Sequence, residues 1–129
     1  IYDFAISYAG EDRHIVDLVA TELKLKGLKI FYDKDFVKES IGTDLIDYLL
    51  EVYKNSAKNV IVFLSENYLN KKWTGFEWQT IKQKLIDNYA SNFLKIVKID
   101  DVPTPEIVES RAYISGKGKT AIEIANLLF

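Results

Sequence analysis

A chain of 129 residues has the length of one domain, and it can bury a hydrophobic core without disulfides or a structural metal. It contains no cysteine, which excludes disulfides and thiolate metal sites, and its net charge of −2 is not that of a dedicated nucleic-acid-binding protein. No apolar run approaches the roughly 20 residues that a membrane-spanning helix needs, so the sequence predicts no membrane association.

The start of the chain suggests a fragment of something larger. Residue Ile1 stands directly in a predicted strand, and the sequence contains no methionine. We therefore expect residues 1–129 to be a single domain from a longer protein. The lack of cysteine fits a reducing compartment, so a cytoplasmic location is expected.

Strands and helices alternate along the chain. Apolar, β-prone runs predict strands at Ile1–Ser7, Leu28–Tyr32, Asn59–Leu64, Phe93–Ile99 and Ala112–Ile114. Apolar residues at helical spacing predict helices from about Glu11 to Lys26, from Gly42 to Asn55, from Thr74 to Asn88, and from Thr120 onward. This alternation predicts a flavodoxin-like α/β fold, with a five-stranded parallel sheet of order 2-1-3-4-5 and helices on both faces.

Two helix termini carry specific signals. Glu11 and Asp12 are suited to the first turn of the first helix, because the helix dipole favours acidic residues there. Thr120 and Glu123 form a capping-box pattern at the start of the last helix. The inward-facing residues of that helix are predicted to be Ala121, Ile122, Ala125 and Leu128.

The predicted sheet also indicates where a ligand would bind. In open parallel sheets, ligands bind beyond the carboxyl ends of the strands, where the strand order reverses. Here that point lies between the first and third strands. Their carboxyl ends are Ser7–Gly10 and Ser65–Asn67.

The segment after the third strand contains a carboxylate beside an aromatic residue. Trp73 and Glu77 are four residues apart, so a helix places them on one face. Thr74 and Glu77 also form a capping-box pattern, in which Glu77 would only stabilise the helix start. The residues alone leave both interpretations open, although the position near the reversal point favours a functional role.

Four stretches in the same order resemble the sequence boxes of TIR domains. Tyr2–Ala9, which reads YDFAISYA and is followed by Glu11 and Asp12, is similar to the first box. The remaining similar stretches are Phe31–Asp33 with Gly42 (the second box and BB loop), Val62–Leu69 (the third-strand signature), and Trp73 with Glu77 (the Trp-x-x-x-Glu element of NAD-cleaving TIR domains). The set of boxes resembles that of prokaryotic TIR effectors of antiphage defence.

This resemblance implies cleavage of the nicotinamide–ribose bond of NAD⁺, with NAD⁺ as substrate and with no cofactor or metal. Glu77 would be the catalytic carboxylate, and Trp73 would form a wall of the pocket. Asp33 and Phe36 would close over the substrate from the BB loop. The resemblance leaves open whether the product is linear, cyclic or base-exchanged.

Further substrate-binding groups are expected at the strand ends. They are the backbone of Ser7, Tyr8 and Ala9 and the hydroxyl of Ser65. Each of the side chains has a simpler alternative: Ser65 would only terminate its strand, and Tyr8 would belong to the core. In the same way, Asp33 would be a turn residue and Phe36 would pack on its own loop.

The resemblance also implies partners. Copies of the domain are expected to associate head to tail, and an attached sensor, such as a STING-like or SAVED-like module, is expected to drive this assembly. The alternative function is a non-catalytic TIR scaffold or adaptor. A phosphorelay receiver domain is excluded, because it needs an aspartate at the end of the third strand, where this chain has Ser65.

Overall fold

The computed structural model describes residues 2–32, 57–68, 94–102 and 113–129. Its strands are β1 (Tyr2–Ser7), β2 (Ile30–Phe31), β3 (Ala57–Leu64), β4 (Leu94–Lys98) and β5 (Tyr113–Ser115). Its helices are α1 (Arg13–Leu25) and α2 (Ala121–Leu128); a 3₁₀ turn, Gly10–Asp12, leads into α1, and residues 66–68, after β3, are also helical. The helices predicted at Gly42–Asn55 and Thr74–Asn88 lie outside the described residues.

The five strands form one parallel sheet with the order β2-β1-β3-β4-β5. This confirms the predicted topology. The strand order reverses between β1 and β3, which are hydrogen-bonded neighbours with Ser7 opposite Val62. The reversal point predicted from the sequence is therefore present, with the carboxyl ends of both strands side by side.

Both faces of the sheet are buried, which is why β1 and β3 are apolar without alternation. Helices α1 and α2 pack against each other and cover one face of the sheet. The alternate strand residues that point to this face are Phe4, Ile6, Ile30, Ile61, Phe63 and Val97. The residues between these positions point to the other face and are also almost fully buried: Ala5, Phe31, Val60, Val62, Leu64 and Ile96. Burial on both faces stabilises the sheet by the hydrophobic effect.

The stripe of α1 follows the predicted spacing. Val16, Val19, Ala20 and Leu23 have no exposed surface. The helix ends at Leu25, and Gly27, two residues later, has a φ of 88° and donates its N–H to the carbonyl of Lys24. A residue with a side chain is strained at that φ, so glycine is the residue that ends this helix without cost.

Helix α2 confirms the predicted capping box and corrects one inward-facing residue. The Glu123 amide donates to the Thr120 hydroxyl at 3.2 Å, and the Thr120 amide donates to the Glu123 carboxylate at 2.9 Å. Ile122, however, is 56% exposed, and Ile124 is buried in its place. A turn of 100° per residue groups Ile124 with Ala125 and Leu128 and carries Ile122 away from that stripe.

A carboxylate also links the amino-terminal ends of the strands, at the end of the sheet opposite the reversal point. Asp3, near the start of β1, accepts a hydrogen bond from the Lys29 amide at 2.8 Å, just before β2. Its other oxygen lies 3.6 Å from the Lys58 ammonium on β3. The Lys29 amide, and to a smaller extent Lys58, holds the pKa of Asp3 below its ordinary value.

Candidate functional site

The end of β1 places three of the predicted site residues inside the protein. Ser7, Tyr8 and Ala9 are at most 3% exposed. The Ser7 hydroxyl lies 2.9 Å from the phenolic oxygen of Tyr68, a buried contact between residues 61 positions apart. Because these side chains are enclosed, any contact to a ligand at this strand end would come from backbone groups.

The backbone opens to solvent one residue later. Gly10 is exposed, and a Cβ atom built on it would have no neighbour within 4 Å. The 3₁₀ turn begins here, and its hydrogen bond from the Asp12 amide to the Ala9 carbonyl, at 2.9 Å, fixes its shape. The first strand therefore ends in an accessible turn held by its own backbone.

Tyr8 lies in the hydrophobic cluster under α1. Its ring centroid is 6.2 Å from that of Tyr32, and the Lys24 ammonium lies 5.2 Å from the Tyr32 centroid on the same side of the sheet. This packing agrees with the alternative in which Tyr8 is a core residue.

Ser65, directly after β3, is fully buried and hydrogen-bonded in two directions. Its hydroxyl donates to a carboxylate oxygen of Asp12 at 2.5 Å, and it accepts the amide of Tyr68 at 3.0 Å. The second bond is a helix cap, because residues 66–68 are helical. Ser65 thus ends the strand as the simpler interpretation held, and a contact from its hydroxyl to substrate stays a prediction.

Asp12 is a residue that the sequence reasoning did not assign to the site. Its Oδ2 accepts from Ser65, and its Oδ1 accepts from the side-chain amide of Asn67 at 3.4 Å. The sequence contained a signal for this. Parallel neighbouring strands bring their carboxyl ends side by side, so an acidic residue just after the first strand and a polar Ser65–Asn67 stretch just after the third are expected to lie near each other.

The carboxyl end of β4 lies beside the turn after β3, which comprises residues 65–68. The Glu66 amide donates to the Asp100 carboxylate at 3.0 Å, and the Ile99 amide donates to the Leu64 carbonyl at 3.0 Å. The turn after β3 is therefore held from both sides, by Asp12 from the β1 side and by Asp100 from the β4 side.

The structure therefore gathers Ser7, Tyr8, Ala9 and Ser65 at the reversal point, as the sequence predicted. The predicted residues Asp33, Phe36, Trp73 and Glu77 lie outside the described residues. Within the described ranges, no three His, Cys, Asp or Glu side chains come together as a candidate metal site.

None of the helices in the described part of the chain is long and apolar enough to cross a membrane.

Comparison with known proteins gives a consistent family. The TIR domain family model matches residues 4–128. The chain is 35% identical to the 3′ cyclic ADP-D-ribose synthase AaTIR of Aquimarina amphilecti over 127 residues, which is 98% of this chain and 38% of that protein. It is 30% identical to the NAD(+) hydrolase TcpC of Escherichia coli O6:H1 over 117 residues, which is 90% of this chain and 36% of that protein.

A solved structure has the same fold. A metazoan TIR-STING receptor from C. gigas, in complex with 2′,3′-cGAMP, superposes with a TM-score of 0.67 at 19% identity, covering 98% of this chain and 39% of that chain. This chain thus spans less than two fifths of the length of each of these three proteins.

Proposed function

Because this chain belongs to the TIR domain family, we propose that it cleaves the nicotinamide–ribose bond of NAD⁺. The observation that carries the proposal is the similarity, over almost the whole chain, to a protein that makes cyclic ADP-ribose. The similarity to an NAD(+) hydrolase supports the same bond cleavage. The strand-order reversal between β1 and β3 is where such a fold binds its ligand.

The chemistry needs only one carboxylate, and we assign that role to Glu77. Ordinary glycosidases use two carboxyl groups, because one of them must protonate the leaving oxygen. Nicotinamide leaves a cationic pyridinium as a neutral ring, so no acid is required. Glu77 would stabilise the oxocarbenium charge that develops on the ribose and would hold the ribose hydroxyls.

The other assigned residues would either line the substrate pocket or close over the substrate. Trp73 would wall the pocket and limit water, and Asp33 and Phe36 would close over the substrate. The backbone at Ser7, Tyr8 and Ala9 would line the floor, which agrees with the burial of their side chains.

Ser65 would line the same floor beside them. Because its hydroxyl already donates to Asp12, it would contact substrate only as an acceptor.

The product depends on what captures the ribose after nicotinamide leaves. Water gives ADP-ribose, and attack by a group of the same molecule gives a cyclic product. We assign hydrolysis to this chain, with NAD⁺ as substrate and no cofactor. AaTIR, a cyclic ADP-ribose synthase, and TcpC, a hydrolase, are similar to this chain to comparable degrees, so product analysis is part of the test.

The last part of the proposal is activation by self-assembly of the domain. Head-to-tail association of TIR domains in the cytoplasm, driven by a sensor domain in the same protein, would bring one copy's loops to the site of the next. Such a heterologous contact propagates unless it closes into a ring. A tethered sensor would raise the effective concentration of the domains to roughly the millimolar range.

The test is incubation of the purified protein with NAD⁺, followed by chromatography for nicotinamide, ADP-ribose and cyclic ADP-ribose. Glu77→Gln is the informative variant, because glutamine serves in a capping box as well as glutamate does. We expect Glu77→Gln to fold with near wild-type stability and to lose turnover by roughly 10²-fold or more. Turnover above about a third of wild type would refute the catalytic role.

Two further arms complete this test. Cleavage that is unaffected by EDTA would support a site without a metal. No release of nicotinamide, at any protein concentration, would favour the non-catalytic adaptor.

A further inference from the structure

Asp12 occupies the N-cap position of α1, but its side chain does not cap the helix. No hydrogen bond runs from its carboxylate to a helix amide. Its φ of −96° and ψ of 8° differ from the extended conformation of a capping residue, so its carboxylate is available to other partners. Thr120 at the start of α2 has the extended conformation and does make a capping bond.

The carboxylate of Asp12 is turned instead to the neighbouring strand end. Both of its oxygens accept hydrogen bonds from the turn after β3, one from Ser65 and one from Asn67. These partners are 53 and 55 residues away in sequence. A charged acceptor makes stronger bonds than a neutral one, so Asp12 is well suited to hold that turn.

Ser65 connects the Asp12 carboxylate to the backbone of the turn after β3. Its hydroxyl accepts the amide of Tyr68 while it donates to Asp12, and the Tyr68 hydroxyl lies against Ser7 at the end of β1. Asp12, Ser65, Asn67, Tyr68 and Ser7 thus form one polar network, the strand-end network, across the reversal point. It joins the two strand ends that flank the proposed NAD⁺ site.

We propose that Asp12 is a positioning residue for NAD⁺ cleavage: its carboxylate fixes the turn after β3 relative to the end of β1. The proposal rests on the proposed function. Asp12 has no contact with substrate in this role and acts through Ser65 and Asn67. The chain leaves this turn at Tyr68 and reaches Trp73 and Glu77 five and nine residues later.

The physical consequence concerns kcat. A displacement of about 1 Å in a reacting group lowers the rate by up to roughly 10²-fold, even when the mutated residue is far from the chemistry. Release of the turn after β3 therefore lowers kcat more than it raises KM. A merely structural role would lower the fraction of folded protein and leave kcat per folded molecule unchanged.

The chain offers a matched control at the other end of β1. Asp3 is also an aspartate that ties this strand to neighbouring segments, through the Lys29 amide and the Lys58 ammonium. Asp3→Ala removes the same charge and a comparable set of contacts as Asp12→Ala. It does so at the amino-terminal ends of the strands, away from the strand-end network.

A conservative variant separates charge from position. In Asp12→Asn, the new amide oxygen can accept from Ser65, and its NH₂ group can donate to Asn67 once Asn67 turns its own amide over. Both contacts then survive without the charge. Asp12→Asn should therefore rescue most of the activity that Asp12→Ala loses.

The experiment measures kcat and KM for NAD⁺ in the purified wild type, Asp12→Ala, Asp12→Asn and Asp3→Ala, with the folded fraction of each from urea denaturation. Hydrogen exchange of the amides of residues 66–68 reports the turn directly. We expect kcat per folded molecule to fall about 10- to 100-fold in Asp12→Ala. It should stay within about threefold of wild type in Asp12→Asn and Asp3→Ala, and exchange should accelerate in Asp12→Ala alone.

The proposal is overturned if Asp12→Ala keeps wild-type kcat, if Asp3→Ala loses as much, or if exchange at 66–68 is unchanged. An Asp12→Asn variant as inactive as Asp12→Ala but with a protected turn would also overturn it, since the charge itself would then be needed. If Asp12→Ala does not fold, Asn67→Ala, which removes one of the two contacts, decides by the same two readouts. A wild type that releases no nicotinamide refutes the proposed function instead, and the exchange arm still decides whether Asp12 holds the turn.

Discussion

The contact between the Ser7 hydroxyl and the Tyr68 phenol gives a sharp test of the strand-end network, because both partners are fully buried. Tyr68→Phe removes one hydroxyl and leaves the Ser7 hydroxyl in the interior without this partner. Such a loss costs about 1–3 kcal/mol. Ser7→Ala should cost a similar amount, while the double variant replaces both groups by apolar ones and should cost much less than the sum.

The magnitude translates into a measurable shift. For a chain of this length, 1 kcal/mol corresponds to roughly 3–5 °C in the melting temperature. Each single variant should therefore melt about 3–15 °C below wild type. The assay is thermal unfolding for the melting temperature and urea denaturation for the free energy of unfolding, both followed by circular dichroism, for wild type, both single variants and the double variant.

The coupling free energy decides the outcome. We expect the two single losses to exceed the loss in the double variant by about 1 kcal/mol or more. Additive losses, to within about 0.3 kcal/mol, would show that the two hydroxyls do not interact. That result would refute the strand-end network as described.

Three further predictions concern the loop, the assembly and the amino-terminal ends of the strands. Phe36→Ala should change stability by no more than about 0.5 kcal/mol and still impair NAD⁺ cleavage. A large fall in melting temperature, with activity proportional to folded protein, would instead place Phe36 in the core. Specific activity should rise with protein concentration alongside oligomer size in a sizing experiment, and a flat specific activity from a strict monomer would exclude activation by assembly. Asp3 has a folded pKa below its unfolded value of 3.8, so its stabilisation is complete above that pH and is lost as the pH falls through the folded pKa. Asp3→Asn should therefore be less stable than wild type near pH 6, with a gap that narrows by pH 3 in urea titrations, and a gap independent of pH would contradict this.

The topology was predictable because it follows from patterns that are local in sequence. Apolar runs without alternation indicated strands covered on both faces, and the chain order of strands and helices restricted the sheet to the order that the structure has. The strand bounds shifted by one or two residues, as with Leu28–Tyr32, of which only Ile30–Phe31 pairs with β1. Pairing depends on the neighbouring strand, and the residues of one strand do not contain that information.

Ile122 and Ser65 show two other limits. Apolarity suggested that Ile122 faces inward, but the helix turned Ile124 inward and left Ile122 exposed, since the stripe is fixed by the rotation of the helix on the sheet. For Ser65, the sequence offered both strand termination and substrate contact. Only the fold brings Asp12 to its hydroxyl, because the two are 53 residues apart.

Asp12 shows that a sequence signal for a helix start can predict where a residue lies without predicting all of its contacts. The sequence placed Glu11 and Asp12 in the first turn of the first helix, where the dipole favours acidic residues, and the structure has both in the 3₁₀ turn that leads into α1. A residue at that position after β1 also faces the carboxyl end of β3, since the two strands are parallel neighbours with Ser7 opposite Val62. The side chain of Asp12 reaches that strand end and contacts Ser65 and Asn67 there. A carboxylate that makes two contacts across the reversal point stabilises the relative position of the strand ends, which is the geometry on which a ligand site at this end of the sheet depends.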